Sequence, residues 1–218
     1  MADYVSIDDQ DKYSFGDDTN DSPFTLSAWI FVNEATHFQI MCKNTSSHRE
    51  WLFYIDQNDK LAFLLLDNST GANQGRYYNV VYPYTGQWIH VMATYDGNEA
   101  DADAGMSIYL NGEAVDDQNT TSGSYTAMEN KDGVVTIGAS LNGSNYANGA
   151  ITECSIWDKE LTQAEVNELY NSGKALDATT HSGSSNLIGY WRNNGLAEWK
   201  DLKNPDVTTF DGNPTSVK

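Results

Sequence analysis

Apolar and polar residues alternate with a period of two through much of this chain. From Phe24 to Val32 (FTLSAWIFV), residues Phe24, Leu26, Ala28, Ile30 and Val32 fall on one face, and Thr25, Ser27, Trp29 and Phe31 on the other, the pattern of a strand. Tyr4 to Ile7 predicts a short first strand and His37 to Lys43 another. Trp51 to Ile55 and Leu61 to Leu66 flank Asp56-Gln57-Asn58-Asp59-Lys60 and predict a hairpin. Asn68 to Arg76, rich in Ser, Asn, Gly and Gln, reads as a loop; Tyr77 to Tyr84 follows with four tyrosines in eight residues. A long strand begins at Gly86 to Val91 and runs to Tyr95. Met106 to Leu110 then meets Asn111-Gly112, a strong hairpin signal because both residues tolerate positive φ. Asp116 to Gly133 and Leu141 to Asn148 read as polar loops. Val134 to Ile137, Ala150 to Trp157 and Leu187 to Trp191 read as strands, and Val207 to Val217 as a segment closing the sheets against the first strand.

The period changes once. Thr162 is a good helix N-cap, and Glu165 stands three residues on, where each side chain can satisfy the other's backbone N–H. Leu161 and Val166 can staple the entry; Val166, Leu169 and Tyr170 recur at helical spacing, and Gly173 suits a left-handed exit. Many short strands and one late helix predict an all-β fold, a two-sheet antiparallel β-sandwich with one short helix near 162–172. With no internal repeat and no clear boundary, residues 1–218 are expected to form a single domain.

The motifs behind this reading resemble those of the laminin-G-like, concanavalin A-like jelly rolls. Gly149 and Ile151, followed by Leu161, Thr162, Glu165, Val166, Leu169 and Tyr170, match the family's "G-x-I" strand and "L-[ST]-x-x-E-[IV]-x-x-L-[YF]" helix. "Trp-x-His-Val-x-x-x-Tyr-Asp-Gly" (Trp88 to Gly97) is the most specific match, supported by Phe24 to Ile30, Ile108 to Gly112, Val135 to Gly138 and Leu187 to Trp191. The resemblance runs from Tyr4 to about Asp211. It implies carbohydrate or protein recognition without choosing between them, and in many members a calcium ion.

Charge narrows the partners. A formal net charge of −19 argues against nucleic acid, whose phosphates call for Lys and Arg. The acids come in scattered pairs such as Asp8–Asp9, Asp17–Asp18 and Asp116–Asp117, which suits a solvated surface, with calcium as the sharper alternative. No apolar run is long enough for a membrane span. The start, MADYVSIDD, lacks the basic and apolar segments of a signal peptide, so the chain is expected to be flanked by other domains in a larger protein. Cys42 and Cys154 are too few for a disulfide framework and are expected as buried free thiols.

Catalytic signatures are weak. There is no G-x-S-x-G and no H-E-x-x-H among His37, His48, His90 and His181, and His90 on a strand face reads as structural. Glycoside hydrolysis needs two carboxylates across the sugar, placed in relatives of this fold as Glu-x-Asp-x-x-Glu on one strand. Here Glu153 is followed by Ser155 where the second acid should stand, and Glu160 lies past the strand. Arg76 with Tyr78 or Tyr82 imitates a lyase pair only by proximity. No catalytic residue is therefore expected. For calcium, Asp101 and Asp103, with Asp96, Asn98 and Glu99 upstream, gather oxygen donors in one loop, while Asp201 or Asp8–Asp9 offer other sites. For a glycan or polysaccharide, aromatic faces and planar polar groups are wanted, and Asn73, Gln74, Arg76, Tyr77, Tyr78, Tyr125, Asn145 and Tyr146 supply them. Five N-x-[ST] sequons at Asn20, Asn44, Asn68, Asn119 and Asn142 fit surface loops.

The expectation is thus a non-catalytic lectin-like module, calcium-associated, working extracellularly or on a virion surface. The alternatives are a structural or protein-interaction module of the same fold, and a divergent glycoside hydrolase or polysaccharide lyase.

Overall fold

The computed structural model describes residues 4–101, 104–141, 145–193 and 199–204. In chain order the strands are β1 (Val5–Ile7), β2 (Phe24–Glu34), β3 (Gln39–Asn44), β4 (Arg49–Ile55), β5 (Leu61–Asp67), β6 (Ala72–Tyr77), β7 (Trp88–Tyr95) and β8 (Met106–Leu110). They continue with β9 (Glu113–Ala114), β10 (Gln118–Ser122), β11 (Val135–Ile137), β12 (Ala139–Ser140), β13 (Asn145–Tyr146), β14 (Asn148–Trp157) and β15 (Leu187–Trp191). One α-helix among the described residues, α1 (Gln163–Tyr170), follows β14.

Two antiparallel sheets face each other as a jelly-roll sandwich, one of seven strands in the order β1-β11-β3-β4-β5-β6-β10 and one of six in the order β15-β14-β2-β7-β8-β9. The alternation of β2 explains the layering. Phe24, Leu26, Ala28, Ile30 and Val32 join Trp51, Phe53 and Ile55 of β4 and Leu61, Phe63 and Leu65 of β5 in one buried core. Thr25, Ser27 and Trp29, on the other face of β2, are buried as well, because the six-stranded sheet is covered on its outer side by α1 and the segment leading to β15. A second apolar cluster fills that layer, with Trp157, Leu161, Val166, Leu169 and Tyr190 among its members. Thr25 ties the layers: its Oγ1 accepts the Leu161 N–H at 3.0 Å and donates to the Lys159 carbonyl at 2.8 Å.

The helix has the capping box that its sequence predicts, with Thr162 and Glu165 exchanging bonds. Its exit differs in detail, since Asn171 (φ 49°) and Ser172 (φ 54°) turn left-handed before Gly173 does. Asn111 (φ 51°) and Gly112 (φ 85°) both adopt positive φ in the β8–β9 turn.

Three segments depart from the sequence reading. Asn68 to Arg76 is not all loop, because β6 starts at Ala72 and pairs with β5 from Ala72↔Asp67 to Tyr77↔Ala62. Asp116 to Gly133 contains β10, an edge strand whose Gln-Asn-Thr-Thr-Ser carries no apolar alternation and which is held by backbone pairing to β6 and the Arg76–Asn119 side-chain bond. Leu141 to Asn148 contains β13, paired with β12. Conversely, residues 78–87 form no strand, in keeping with Pro83, which lacks the N–H a ladder needs. Val207 to Val217 lies outside the described residues. Both cysteines are buried free thiols, and burial pushes Cys42 up to about 11 and Cys154 well above the ordinary thiol range.

Candidate ligand-binding site

Strand parity on the seven-stranded sheet decides which side chains reach solvent. Phe63 and Leu65 of β5 point into the core, so their partners on β6, Arg76 and Gln74, sit on the side facing the other sheet. Ala62 points outward, and so do its partners: Tyr54 on β4, Tyr77 on β6 and, one strand further, Gln118 on the β10 edge. These residues form a row crossing four strands. Ala62 is the small member between the two tyrosines, whose side chains interact over it. Burial, with the neighbouring ring and Asp56 adding to it, raises Tyr54 above the ordinary phenol range. Tyr77 is raised for the same leading reason. Both therefore stay protonated at neutral pH.

Beside Tyr77 lies an open depression of about 190 Å³. Its floor and one wall are Tyr77 and the edge residues Gln118, Asn119 and Thr120; the opposite wall is the β4–β5 turn with Asp56, Asn58 and Lys60. The turn is rigid by its own chemistry. Asp56 Oδ1 accepts the backbone N–H groups of Asn58 (2.7 Å) and Lys60 (2.9 Å), and Oδ2 accepts from Asn58 Nδ2 (3.2 Å). Lys60 Nζ donates to Asn79 Oδ1. Gln118 is exposed and Thr120 half-exposed, leaving an amide and a hydroxyl beside an aromatic ring.

The residues expected from sequence are dispersed. Arg76 clamps Asp116 through Nε (3.1 Å) and Nη2 (2.5 Å) and donates from Nη1 to Asn119 Oδ1, so it braces the site from behind. Gln74 shares its side of β6, while Asn73 faces outward opposite Leu66. The Tyr78 ring packs against the core, and its N–H donates to the Leu61 carbonyl at 2.9 Å. Tyr125 donates its hydroxyl to Asp21 Oδ2 at 2.6 Å, sharing that buried carboxylate with Tyr95 and the Met128 N–H. Asn145 and Tyr146 lie on β13, whose partner β12 packs on β3, far across the sheet from β10; the Tyr146 ring meets that of Tyr4 at 6.3 Å. Of the eight residues named from sequence, only Tyr77 lines the depression. Gln118, Asn119 and Thr120 were missed because β10 read as a loop, which hid the strand that carries them, and Asp56, Asn58 and Lys60, in a turn the sequence did show, because nothing local places that turn opposite β10.

Glu153 occupies a β-bulge where it and Cys154 together oppose Ala28, and it takes a positive φ of 53°. The extra residue turns Cys154 into the core and Glu153 out, so the alternation breaks between Thr152 and Glu153, while Glu153 and Ser155 still share the outer face. Both carboxylate oxygens are engaged: Oε1 accepts from Arg192 Nε (2.6 Å), and Oε2 from Arg192 Nη2 (3.1 Å) and the Tyr190 hydroxyl. Arg192 also lies 3.8 Å from Asp177. His90 is fully buried, its Nε2 2.8 Å from Ser27 Oγ and its ring against those of Trp29 and Tyr170.

At the expected calcium loop, Asp96 Oδ1 accepts the Asn98 N–H at 2.8 Å, and the carboxylate closes over Gly105, where a Cβ would come within 2.1 Å of it. The Asp101 side chain and all of Asp103 lie outside the described residues. Among the described residues no three His, Cys, Asp or Glu side chains converge as metal ligands. The described part of the loop thus supplies two carboxylates, Asp96 and Glu99, with no third converging on them, too few by themselves for an ion that takes six to eight oxygens.

A family model for concanavalin A-like lectin/glucanases matches residues 2–167. The chain belongs to that superfamily. Among curated relatives, it is 27% identical over 159 residues to pappalysin-1 of Mus musculus, an alignment covering 66% of this chain and 9% of that protein. Among solved structures of the same fold is a provisional carbohydrate-binding protein from Bacteroides ovatus ATCC 8483, at TM-score 0.56 and 18% identity, covering 100% of this chain and 62% of that one. Another is the binding domain of Paraclostridial Mosquitocidal Protein 1, at TM-score 0.54 and 16% identity, covering 78% of this chain and 41% of that one. This superfamily member therefore spans less than two thirds of each of these relatives, and no helix among its described residues is long and apolar enough to cross a membrane.

Proposed function

We propose that this chain is a non-catalytic, lectin-like module that binds a glycan at the depression beside Tyr77. The observation that carries this reading is the meeting of an aromatic ring with outward amide and hydroxyl groups around about 190 Å³ of open space. A pyranose has apolar C–H faces and a rim of hydroxyls, and this combination answers both. The carbohydrate-binding description of the Bacteroides neighbour points the same way. Absence of catalysis is supported by Glu153, whose two oxygens are tied to Arg192 and Tyr190 and are not free to move a proton. The chain is proposed to act outside a cell or on a virion surface, as one part of a larger protein. Calcium is proposed as a separate ion at the 96–105 loop, and rests on Asp101 and Asp103 joining Asp96. The deciding experiment is a glycan array followed by titration calorimetry on any hit. Tyr77→Ala should weaken the hit by at least about tenfold and Tyr77→Phe by much less; a hit unmoved by Tyr77→Ala rejects the site.

A second reading, protein recognition, is favoured by one feature. Val80, Val81 and Trp88 expose 42%, 59% and 46% of their surfaces, high for large apolar side chains. Val81→Asp would weaken a protein partner and leave a glycan bound at Tyr77 untouched.

A further inference from the structure

We infer that Lys43 is this protein's built-in cation: its ammonium fills an oxygen cage of the kind that takes a small hard metal ion, and stands in for that ion. The cage shares no residue with the depression beside Tyr77. It is assembled where the segment after β1, the start of β4 and the loop before β11 meet Lys43 on β3.

Four oxygens from four separate stretches of chain converge on Lys43 Nζ. Ser14 Oγ, just after the short turn at Asp11–Tyr13, accepts from it at 2.9 Å. Glu50 Oε1 and the Lys131 carbonyl accept from it as well. Asp9 Oδ1 stands 2.9 Å away, buried, and makes no hydrogen bond. An ammonium has three protons, and these three bonds use all of them, so the fourth oxygen is one more than Lys43 can serve. A centre without directional bonds serves every oxygen around it, which is how calcium gathers carboxylates, hydroxyls and backbone carbonyls. Charge points the same way. The Lys43 and Glu50 side chains are wholly buried, and Glu50 Oε2 also lacks a hydrogen bond. Above about 7, the value to which burial raises Glu50, two carboxylates face one ammonium, an excess that a divalent ion would cancel. The Asp8–Asp9 pair was one of the calcium positions expected from sequence, and Asp9 meets an amine there. Glu50 Oε1 also accepts the Lys131 N–H at 3.0 Å, which fixes the loop that donates the carbonyl. A free ion would leave on dilution and release these distant segments; a side chain stays.

The test melts the full chain, Lys43→Ala, Lys43→Met and the double variant Lys43→Ala/Glu50→Gln, each in a chelator and in calcium chloride, at a pH above the Glu50 value. Reading each variant's calcium shift against the parent's cancels any ion held at the 96–105 loop. Lys43→Ala should melt well below the parent in chelator, and calcium at about 100 times its Kd should raise it by about 5–10 °C more than it raises the parent. Lys43→Met, whose stem refills the space, and the double variant, which lacks one carboxylate, should gain no more than the parent. Sodium chloride at equal ionic strength should not substitute. Should Lys43→Ala be unfolded in chelator, calcium should fold it, as read by far-UV circular dichroism. In the parent itself, nitrogen-15 spectra should show one lysine ammonium in slow exchange with water and in contact with Ser14. A calcium shift in Lys43→Ala no larger than the parent's, a shift that the double variant keeps, or an unfolded Lys43→Ala that calcium does not rescue would overturn the cage. A missing ammonium signal would overturn Lys43 as its occupant.

Discussion

His90 packs against the rings of Trp29 and Tyr170, with Ser27 as its hydrogen-bonding partner. Burial lowers its folded-state pKa to about 3, far under the ordinary value of 6.5. The sign follows directly. As pH falls below about 6.5, the unfolded chain takes up a proton at this residue and the folded chain does not, so stability is lost on the order of 1 kcal/mol per pH unit until about pH 3. Urea midpoints measured from pH 7 to pH 4 should therefore fall more steeply in the parent than in His90→Gln; parallel curves would mean that another group governs the acid limb. Lys43 and Glu50 make a different case, since both are fully buried and paired with each other. Desolvation raises Glu50 to about 7, with the Lys43 charge pulling it back. Lys43→Met should cost about 3–5 kcal/mol by stranding that carboxyl, and adding Glu50→Leu should restore most of it, as read from denaturant midpoints.

At the scale of elements, α1 is the best-anchored piece outside the two sheets. Its Thr162–Glu165 box is joined by Lys159, whose Nζ lies 2.5 Å from Glu165 Oε1. Burial alone would raise the Glu165 carboxyl, but the bonds from Lys159 and Thr162 outweigh it and hold the group at about 2. Thr162→Ala should cost about 1 kcal/mol. Leu169→Ala, which empties a buried position beneath the helix, should cost about 2–5 kcal/mol. Both are checked by equilibrium unfolding. This helix was legible in sequence because cap, staple and apolar spacing all agree within a dozen residues. β2 was legible too, although its polar-looking face is buried, a fact that depends on what later packs over it. β6 and β10 were not legible. Ala-Asn-Gln-Gly-Arg-Tyr and Gln-Asn-Thr-Thr-Ser have the composition of loops, and only pairing with β5 makes them strands. Since one side of the depression is built on those two strands, the fold could be read from the chain but the residues lining that side could not. Tyr77 was noticed for its chemistry, and its neighbours across the sheet were beyond the reach of local pattern.

For the molecule as a whole, the two sheets and the helix layer give three slabs, and the candidate site lies on the outermost strands of the only slab without a helical cover among the described residues. Binding there needs little rearrangement of the core, so Tyr77→Ala should leave the thermal midpoint within about 1–2 °C of the parent while removing the glycan response. A chelator should lower the midpoint by several degrees if calcium is held at the 96–105 loop, and an unchanged melt would remove calcium from the proposal. The border strand beside Tyr77 carries a further consequence. Its residues are polar on both sides, and apart from the Arg76–Asn119 bond its ties to the rest of the protein run through the main chain. Inserting or deleting one amino acid ahead of Gln118 would exchange Gln118, Thr120 and Ser122 for their alternates, losing the Arg76–Asn119 bond but no apolar core contact. The margin of this sheet is thus a replaceable cassette, whose outward groups can change while the interior stays the same.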